Sequence, residues 1–196
     1  LHSTSRRQRQ MCIRDSAKSE IERLDKLWSA VDENSEIYQL NQKKKMKVSD
    51  ETLELIEFAK KKSAQSGDAF DISIYPIVEL WGFPTQKYRV PSDSEIKSLL
   101  KNVDCQKIKV NKKTNVVTLE KNMKIDLGGI AKGYTSQRIA KVYKEDGVKS
   151  GVISLGGNVQ AIGKKTDGSY WKVGVQSPDD TENMICLLYT SDAADD

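Results

Sequence analysis

Histidine is almost absent from this sequence: His2 is the only one in 196 residues. Cysteine is scarce, at three, and proline at four. No apolar run approaches the roughly 20 residues that a membrane-spanning helix needs. Past residue 16 the only arginines are Arg23, Arg89 and Arg138, so the net charge of +4 is carried by lysine. Runs such as Lys43-Lys44-Lys45 and Lys60-Lys61-Lys62 read as solvated faces. Nucleic-acid surfaces usually combine arginine with interleaved aromatics, so no nucleic-acid partner is expected.

The two ends read as foreign to the rest. The run RRQRQMCIRDS, Arg6 to Ser16, is what a common transposase sequencing adapter gives when translated. Leu1-His2 fits the same adapter just upstream, and Ser3 to Ser5 would cover a sample index. The tail CLLYTSDAADD, Cys186 to Asp196, fits the complementary strand. We therefore expect residues 1–16 and 186–196 to be adapter-derived, and 17–185 to be a partial domain cut at both ends. The head holds four Arg and one Asp and the tail three Asp, so the middle keeps its +4. His2, Cys12 and Cys186 leave with the ends. Cys105 is then alone, which excludes an internal disulfide. With no imidazole, acid–base work falls to carboxylates, lysine or tyrosine.

What remains has the length of one domain or most of one. Ile21, Leu24, Leu27, Trp28 and Val31 recur at helical spacing, and DENSEI, Asp32 to Ile37, ends that helix. Ser49-Asp50 caps a second helix with Leu53, Ile56 and Ala59 inward, running out near Ser66-Gly67. Ser92 and Glu95 form a capping box for a third, carrying Ile96, Leu99 and Leu100. KIKV and VVTLE flank NKKTN as a hairpin, with MKIDL, Met123 to Leu127, as a third neighbouring strand. A helix follows over Ala131 to Glu145, with Gly147 as its C-terminal cap. GVISL, NVQAIG and YWKVGVQ read as three further strands. Helices and antiparallel hairpins mixed in this way indicate an α+β fold.

The chemistry concentrates in KIDLGGIAKGYT, Lys124 to Thr135. Gly128-Gly129 stands where a strand pattern turns into a helix. A helix start presents unpaired N–H groups and a positive dipole end, which suit a phosphate. The spacing fits neither the Walker A loop nor the dinucleotide fingerprint, and a plain tight turn explains two glycines equally well. Asp126 beside such a site suggests Mg²⁺, a base, or an acceptor for a ligand ring or ribose; it also reads as an ordinary helix cap. Lys132 is either a ligand contact or a surface lysine. In SGDAFDISIYP, Ser66 to Pro76, Asp68 and Asp71 flank Ala69-Phe70. That is a possible edge for a flat ring, or a loop Phe tucked into a core. In SLGGNVQAIG, Asn158 reads as a turn residue.

In this order, the clusters resemble the ApbE family of FAD:protein FMN transferases. The matching stretches are SEI...LN (Ser35 to Asn41), GDAFDISIYPIVELWGF (Gly67 to Phe83), KIDLGGIAKGYT, GVISLGGNVQAIGKK (Gly151 to Lys165) and DGSYWKVGVQSP (Asp167 to Pro178). The resemblance implies an α+β domain that binds FAD and, with Mg²⁺, transfers its FMN half to a threonine hydroxyl of a membrane redox subunit, releasing AMP. It implies FAD contacts at Ala69, Phe70, Asp71, Asp126 and Lys132, a catalytic role for Asp126, and a metal ligand in the backbone oxygen of Gly129. It implies an extracytoplasmic protein anchored to the bacterial membrane as a lipoprotein. Two departures stand out. Val31 replaces an aromatic that many members carry, and the family's remaining metal ligands, an Asp and a Thr, fall downstream of VGVQSP. The fragment is therefore expected to lack turnover although its parent is an enzyme. The alternatives are an FAD carrier, or an FAD pyrophosphatase that does not flavinylate protein.

Overall fold

The computed structural model describes residues 6–180 and 182–189. It divides into two compact units, residues 22–131 and residues 1–21 with 132–196.

In the first unit, the end of helix α1 (Arg6–Trp28) leads into α2 (Glu36–Lys43), strand β1 (Lys45–Lys47) and α3 (Asp50–Gln65). Ser35 starts α2 by accepting from the Tyr38 N–H, and Ser49 starts α3 by accepting from the Thr52 N–H. Each oxygen satisfies one of the unpaired donors of a helix start. Glu36 binds the two helices together, because its carboxylate accepts from the Ser49 N–H, the Ser49 hydroxyl and Thr52. Trp28 packs against the same joint and donates its indole N–H to Thr52 Oγ1 at 3.0 Å. Leu24, Ile37, Leu40, Leu55 and Ile56 are all buried beneath.

Helix α4 (Tyr75–Leu80), α5 (Asp93–Leu100), β2 (Lys109–Asn111) and β3 (Val116–Thr118) complete this unit up to the start of α6 (Gly128–Glu145). The capping box at Ser92 and Glu95 is present in both directions, and Arg89 adds a 2.7 Å ion pair to Glu95. These bonds hold the Glu95 carboxyl down at about 2. The expected hairpin is β2–β3, antiparallel, with Val110 opposite Val117.

The third strand of that sheet differs from expectation. It is β1, with Met46 opposite Val117, and the order is β1-β3-β2. Met123 to Leu127 stays outside the sheet and makes only one parallel bridge, Lys124 to Ile74. Side chains take up its backbone polar groups instead, as described below. Helix α6 also begins earlier than Ala131. The Leu127 carbonyl already accepts from the N–H groups of Ile130 and Ala131, at 2.9 and 2.7 Å.

The second unit holds the body of α6 and the hairpin of β4 (Gly151–Leu155) and β5 (Asn158–Ile162). Gly156 and Gly157 both have positive φ, +52° and +88°, which a two-residue turn between antiparallel strands demands. Ala17, Ile139, Ala140, Ile153 and Ile162 form the core, with Ile21, Tyr143 and Leu155 packed on it. Strand β6 (Lys172–Gln176) pairs with β7 (Met184–Tyr189) and not with β5. In the two end segments, Met11, Cys12, Cys186, Leu187 and Leu188 are exposed and Ile13 is half-buried. Among the described residues, no helix is long and apolar enough to cross a membrane. Helices with antiparallel strands make this an α+β chain.

Candidate functional site

The segment from Met123 to Gly128 is tied down residue by residue. Lys44 Nζ donates to the Met123 carbonyl at 2.8 Å. Lys124 pairs with both oxygens of Glu79, at 2.8 and 2.7 Å. Buried Asn41 brackets Ile125, accepting from its N–H at 2.7 Å and donating to its carbonyl at 2.8 Å. The Asp126 N–H donates to the Ile72 carbonyl at 2.8 Å. Apolar anchoring accompanies these bonds, for Met123, Ile125 and Leu127 are all at most 1 % exposed. The alternation that reads as a strand is thus a buried extended segment, held by side chains rather than by a neighbouring strand.

This clamp delivers Asp126 to the start of α6. Its Oδ1 accepts from the Gly128 N–H at 2.9 Å. A carboxylate there satisfies one open donor and complements the positive end of the helix. Its second oxygen makes no hydrogen bond among the described residues. Gly128 and Gly129 are both exposed, so the first turn of the helix is open.

Phe70 comes to the same place from the other loop. Its Cε2 lies 3.1 Å from where a Cβ on Gly129 would stand. The half-buried ring therefore lies beside Gly129, and the absence of a side chain there lets it approach. Ala69 beside it is exposed. Asp68 has φ +62° and accepts from the Ser63 hydroxyl at 3.2 Å.

Asp71 faces inward. Its Oδ1 accepts from the Ser73 N–H and hydroxyl, both at 2.6 Å, and its Oδ2 accepts from the Cys105 N–H at 2.9 Å. Ser73 in turn accepts from the Asp104 N–H at 2.8 Å. This network fixes the loop that carries Ala69 and Phe70. Burial pushes the Cys105 thiol above its ordinary range, and the nearby Asp71 charge adds to the shift. Cys105 is a structural thiol, since a reactive one needs the opposite shift and exposure.

Sequence reasoning about the site did not reach Asn41, Lys44, Tyr75, Glu79 and Lys124 as a group. Asn41 and Glu79 lie inside the stretches SEI...LN and DISIYPIVELWGF, but their partners are 84 and 45 positions away, beyond any local spacing. A cleft of about 690 Å³ lies along Lys44, Glu79, Arg89, Lys121 and Lys124. Another cavity, of about 260 Å³, is lined by Val31, Tyr38, Asn41, Tyr75, Glu79 and Lys124. The Glu79–Lys124 pair borders both. Burial lowers the Lys44 pKa, and the Lys124 charge lowers it further. Buried Tyr75 donates its hydroxyl to the Ala30 carbonyl at 3.2 Å. Its pKa is pushed up to about 12, first by burial and then by Glu79, Asp126 and Tyr38.

In the second unit, Lys132 is exposed on α6, and its Nζ lies 4.0 Å from the position of a Cβ on Gly156. Asn158 donates to Ser136 Oγ at 2.7 Å, and Ser136 donates to the Lys132 carbonyl at 2.9 Å. The Gly156-Gly157 turn is thereby joined to the helix turn that carries Lys132. Asn158 is spent on this joint.

The profile of the ApbE family matches residues 2–194. An FAD:protein FMN transferase of Escherichia coli is 24% identical over 181 residues, 88% of this chain and 52% of that protein. One from Klebsiella pneumoniae is 33% identical over 132 residues, 67% of this chain and 40% of that protein. The chain thus spans about half the length of the curated relatives it matches. The crystal structure of the ApbE protein from Thermotoga maritima superposes with a TM-score of 0.87 at 30% identity, covering 95% of this chain and 62% of that one. The apo flavinyl transferase ApbE from Pseudomonas stutzeri gives 0.77 at 26% identity, covering 87% and 55%.

Proposed function

This chain belongs to the ApbE family, and from that premise we propose that the whole protein moves the FMN moiety of FAD onto a threonine hydroxyl of an acceptor protein, releasing AMP. The observation that carries the reading is the helix start itself: a carboxylate, Asp126, on the Gly128 N–H, with an aromatic ring, Phe70, beside Gly129. A ring, the exposed positive end of a helix dipole and an acid suit a flavin joined to a pyrophosphate.

In this reading the threonine oxygen attacks the phosphorus of the FMN half. The bond from that phosphorus to the bridging oxygen breaks, and AMP leaves with that oxygen. Asp126, with one oxygen unengaged, takes the proton of the threonine hydroxyl. Phe70 and Ala69 line the flavin side and the α6 start faces the phosphates; the family resemblance gives Lys132 a further contact with FAD. Asp71 acts by holding the Ala69-Phe70 loop.

The donor set fits Mg²⁺ in one manner only. Among the described residues, no group of three or more His, Cys, Asp or Glu can hold a metal, which rules out a cage built from such side chains there. The backbone oxygen of Gly129 would be the protein ligand here, and an ion so held would share its remaining positions with substrate phosphates and water, as Mg²⁺ usually does, leaving the free Asp126 oxygen to act as the base. Bound there, Mg²⁺ would spread the charge on the phosphoryl oxygens.

The same reading places the whole protein outside the cytoplasm, held at the bacterial membrane by a lipid anchor, where its acceptor is a membrane redox subunit. The test is transfer of flavin from FAD to a threonine-bearing acceptor, followed by in-gel fluorescence with Mg²⁺ and with a chelator. Fluorescent acceptor is expected only with Mg²⁺. AMP and free FMN without labelled acceptor would mark a pyrophosphatase, and bound but intact FAD would mark a carrier.

A further inference from the structure

We propose that Asn41 is a positioning residue for Asp126; the inference rests on the catalytic reading of Asp126 given above. Asn41 sits near the end of α2, 2 % exposed, and bonds to Ile125 through both ends of its amide. The two bonds fix the amide's orientation, since the Ile125 N–H needs an acceptor and its carbonyl needs a donor. A primary amide offers both side by side. The side chain therefore does for one residue what a neighbouring strand does for a whole segment.

The consequence falls on the next peptide unit. Its carbonyl, from Ile125, accepts from Asn41, and its N–H, from Asp126, donates to the Ile72 carbonyl at 2.8 Å. Both polar ends of the peptide plane are held from different parts of the chain. The buried Ile125 side chain, 0 % exposed, blocks sliding. With that plane held on one side, and buried Leu127 and the bond from the Gly128 N–H to Oδ1 holding the other, the Asp126 carboxyl is placed at the start of α6. Reacting groups tolerate errors of about 0.5 Å, and a displacement of about 1 Å costs about 100-fold in rate.

The informative variant is Asn41→Asp. Ionised, it accepts from the Ile125 N–H but turns an oxygen toward the Ile125 carbonyl. Protonated, it regains a donor and mimics the amide. Burial and the facing carbonyl raise the pKa of such a carboxyl, so the defect should heal as pH falls. In the whole protein, transfer by Asn41→Asp at pH 8 should show kcat reduced about 10- to 100-fold with the KM for FAD changed far less. Relative to the unsubstituted protein, that deficit should shrink at pH 5.5. Thermal melts at both pH values report the folded fraction, and rates are compared per folded molecule. An Asn41→Asp kcat within twofold of normal at pH 8, or a deficit independent of pH, would overturn the proposal.

Hydrogen exchange on the unsubstituted chain keeps the question open to test even where the variant does not fold. The Ile125 and Asp126 amides should be protected like core amides, and exchange at the rate of a free loop would overturn the inference. Asp126→Asn serves as the control. If it transfers flavin normally, the catalytic reading of Asp126 fails; if it is inactive while Asn41→Asp is normal, only the role of Asn41 fails.

Discussion

The Phe70 ring lies against Gly129 closely enough that its Cε2 is 3.1 Å from the position of a Cβ on that glycine. A real Cβ at this distance would sit tighter than ordinary van der Waals packing, so the ring's position depends on glycine at 129. In sequence they are 59 positions apart.

Substitution at Gly129 should therefore separate two opposed effects. Alanine favours a helix over glycine by up to about 1 kcal/mol, but its methyl must push the ring aside. Gly129→Ala alone should change stability by less than about 1 kcal/mol while weakening flavin binding. With Phe70→Ala in the background, the same substitution should become stabilising. The measurement is a double-mutant cycle by thermal or denaturant melts, and additivity of the two changes would deny the contact. Gly129→Val should be worse on both counts, because a branched side chain cannot avoid the ring and is a poorer helix former.

Asp126 can be divided in the same way into its cap and its charge. Asn keeps an oxygen for the Gly128 N–H and loses the charge; Ala loses both. Asp126→Ala should cost about 1 kcal/mol of stability, and Asp126→Asn about half that or less. Flavin transfer should fall tenfold or more in both, since a single charged contact is worth about 1.5–3 kcal/mol. Full transfer by Asp126→Asn would remove the residue from the mechanism.

Local signals are legible in the sequence where a side chain acts on its own neighbourhood. Ser49, Ser92 and Glu95 cap the helices they announce, and NKKTN turns a hairpin. Helix α2 is hard to see in the sequence because it is eight residues long and starts inside the polar run DENSEI, with Ser35 as its cap. Strand β1 is Lys-Met-Lys, too short for its alternation to stand out within a lysine run, and it is recruited by β3. Met123 to Leu127 has the alternation of a strand, yet Asn41 and Lys44 take the place of the neighbour. No periodicity distinguishes a segment held by a strand from one held by distant side chains. The site was legible in the same proportion. The residues at the helix start stand together in one motif, whereas Asn41, Tyr75 and Glu79 join it only through the fold.

Lys132 makes a different prediction, because it is exposed and its ammonium approaches the Gly156 turn without a close polar contact there. Lys132→Ala should leave the melting temperature within about 1 °C, as surface substitutions usually do. It should raise the FAD concentration needed for half-maximal transfer about tenfold, with kcat little changed, because a contact made equally in ground and transition states affects KM alone. A fall in kcat at saturating FAD would instead place the lysine in the chemical step.

Tyr75 offers a reporter of the site's charge that needs no substrate. Burial, then Glu79, Asp126 and Tyr38 raise its pKa to about 12, against an ordinary value near 10. The folded state therefore favours the neutral phenol, which also donates to the Ala30 carbonyl. Its contribution to stability is present in full below about pH 10 and is lost as pH rises to about 12, because only the unfolded chain releases the proton early. Tyr75→Phe should flatten the stability loss across that window, measured as a difference from the unsubstituted chain so that the titrating lysines cancel. In difference absorbance at 295 nm, the late tyrosinate step should disappear with the same variant. Glu79→Gln should bring that step to lower pH, and Asp126→Asn should bring it down by less, with burial keeping it above 10 in both. A step that ignores Asp126→Asn would mean that Tyr75 does not feel the carboxylate at the start of α6.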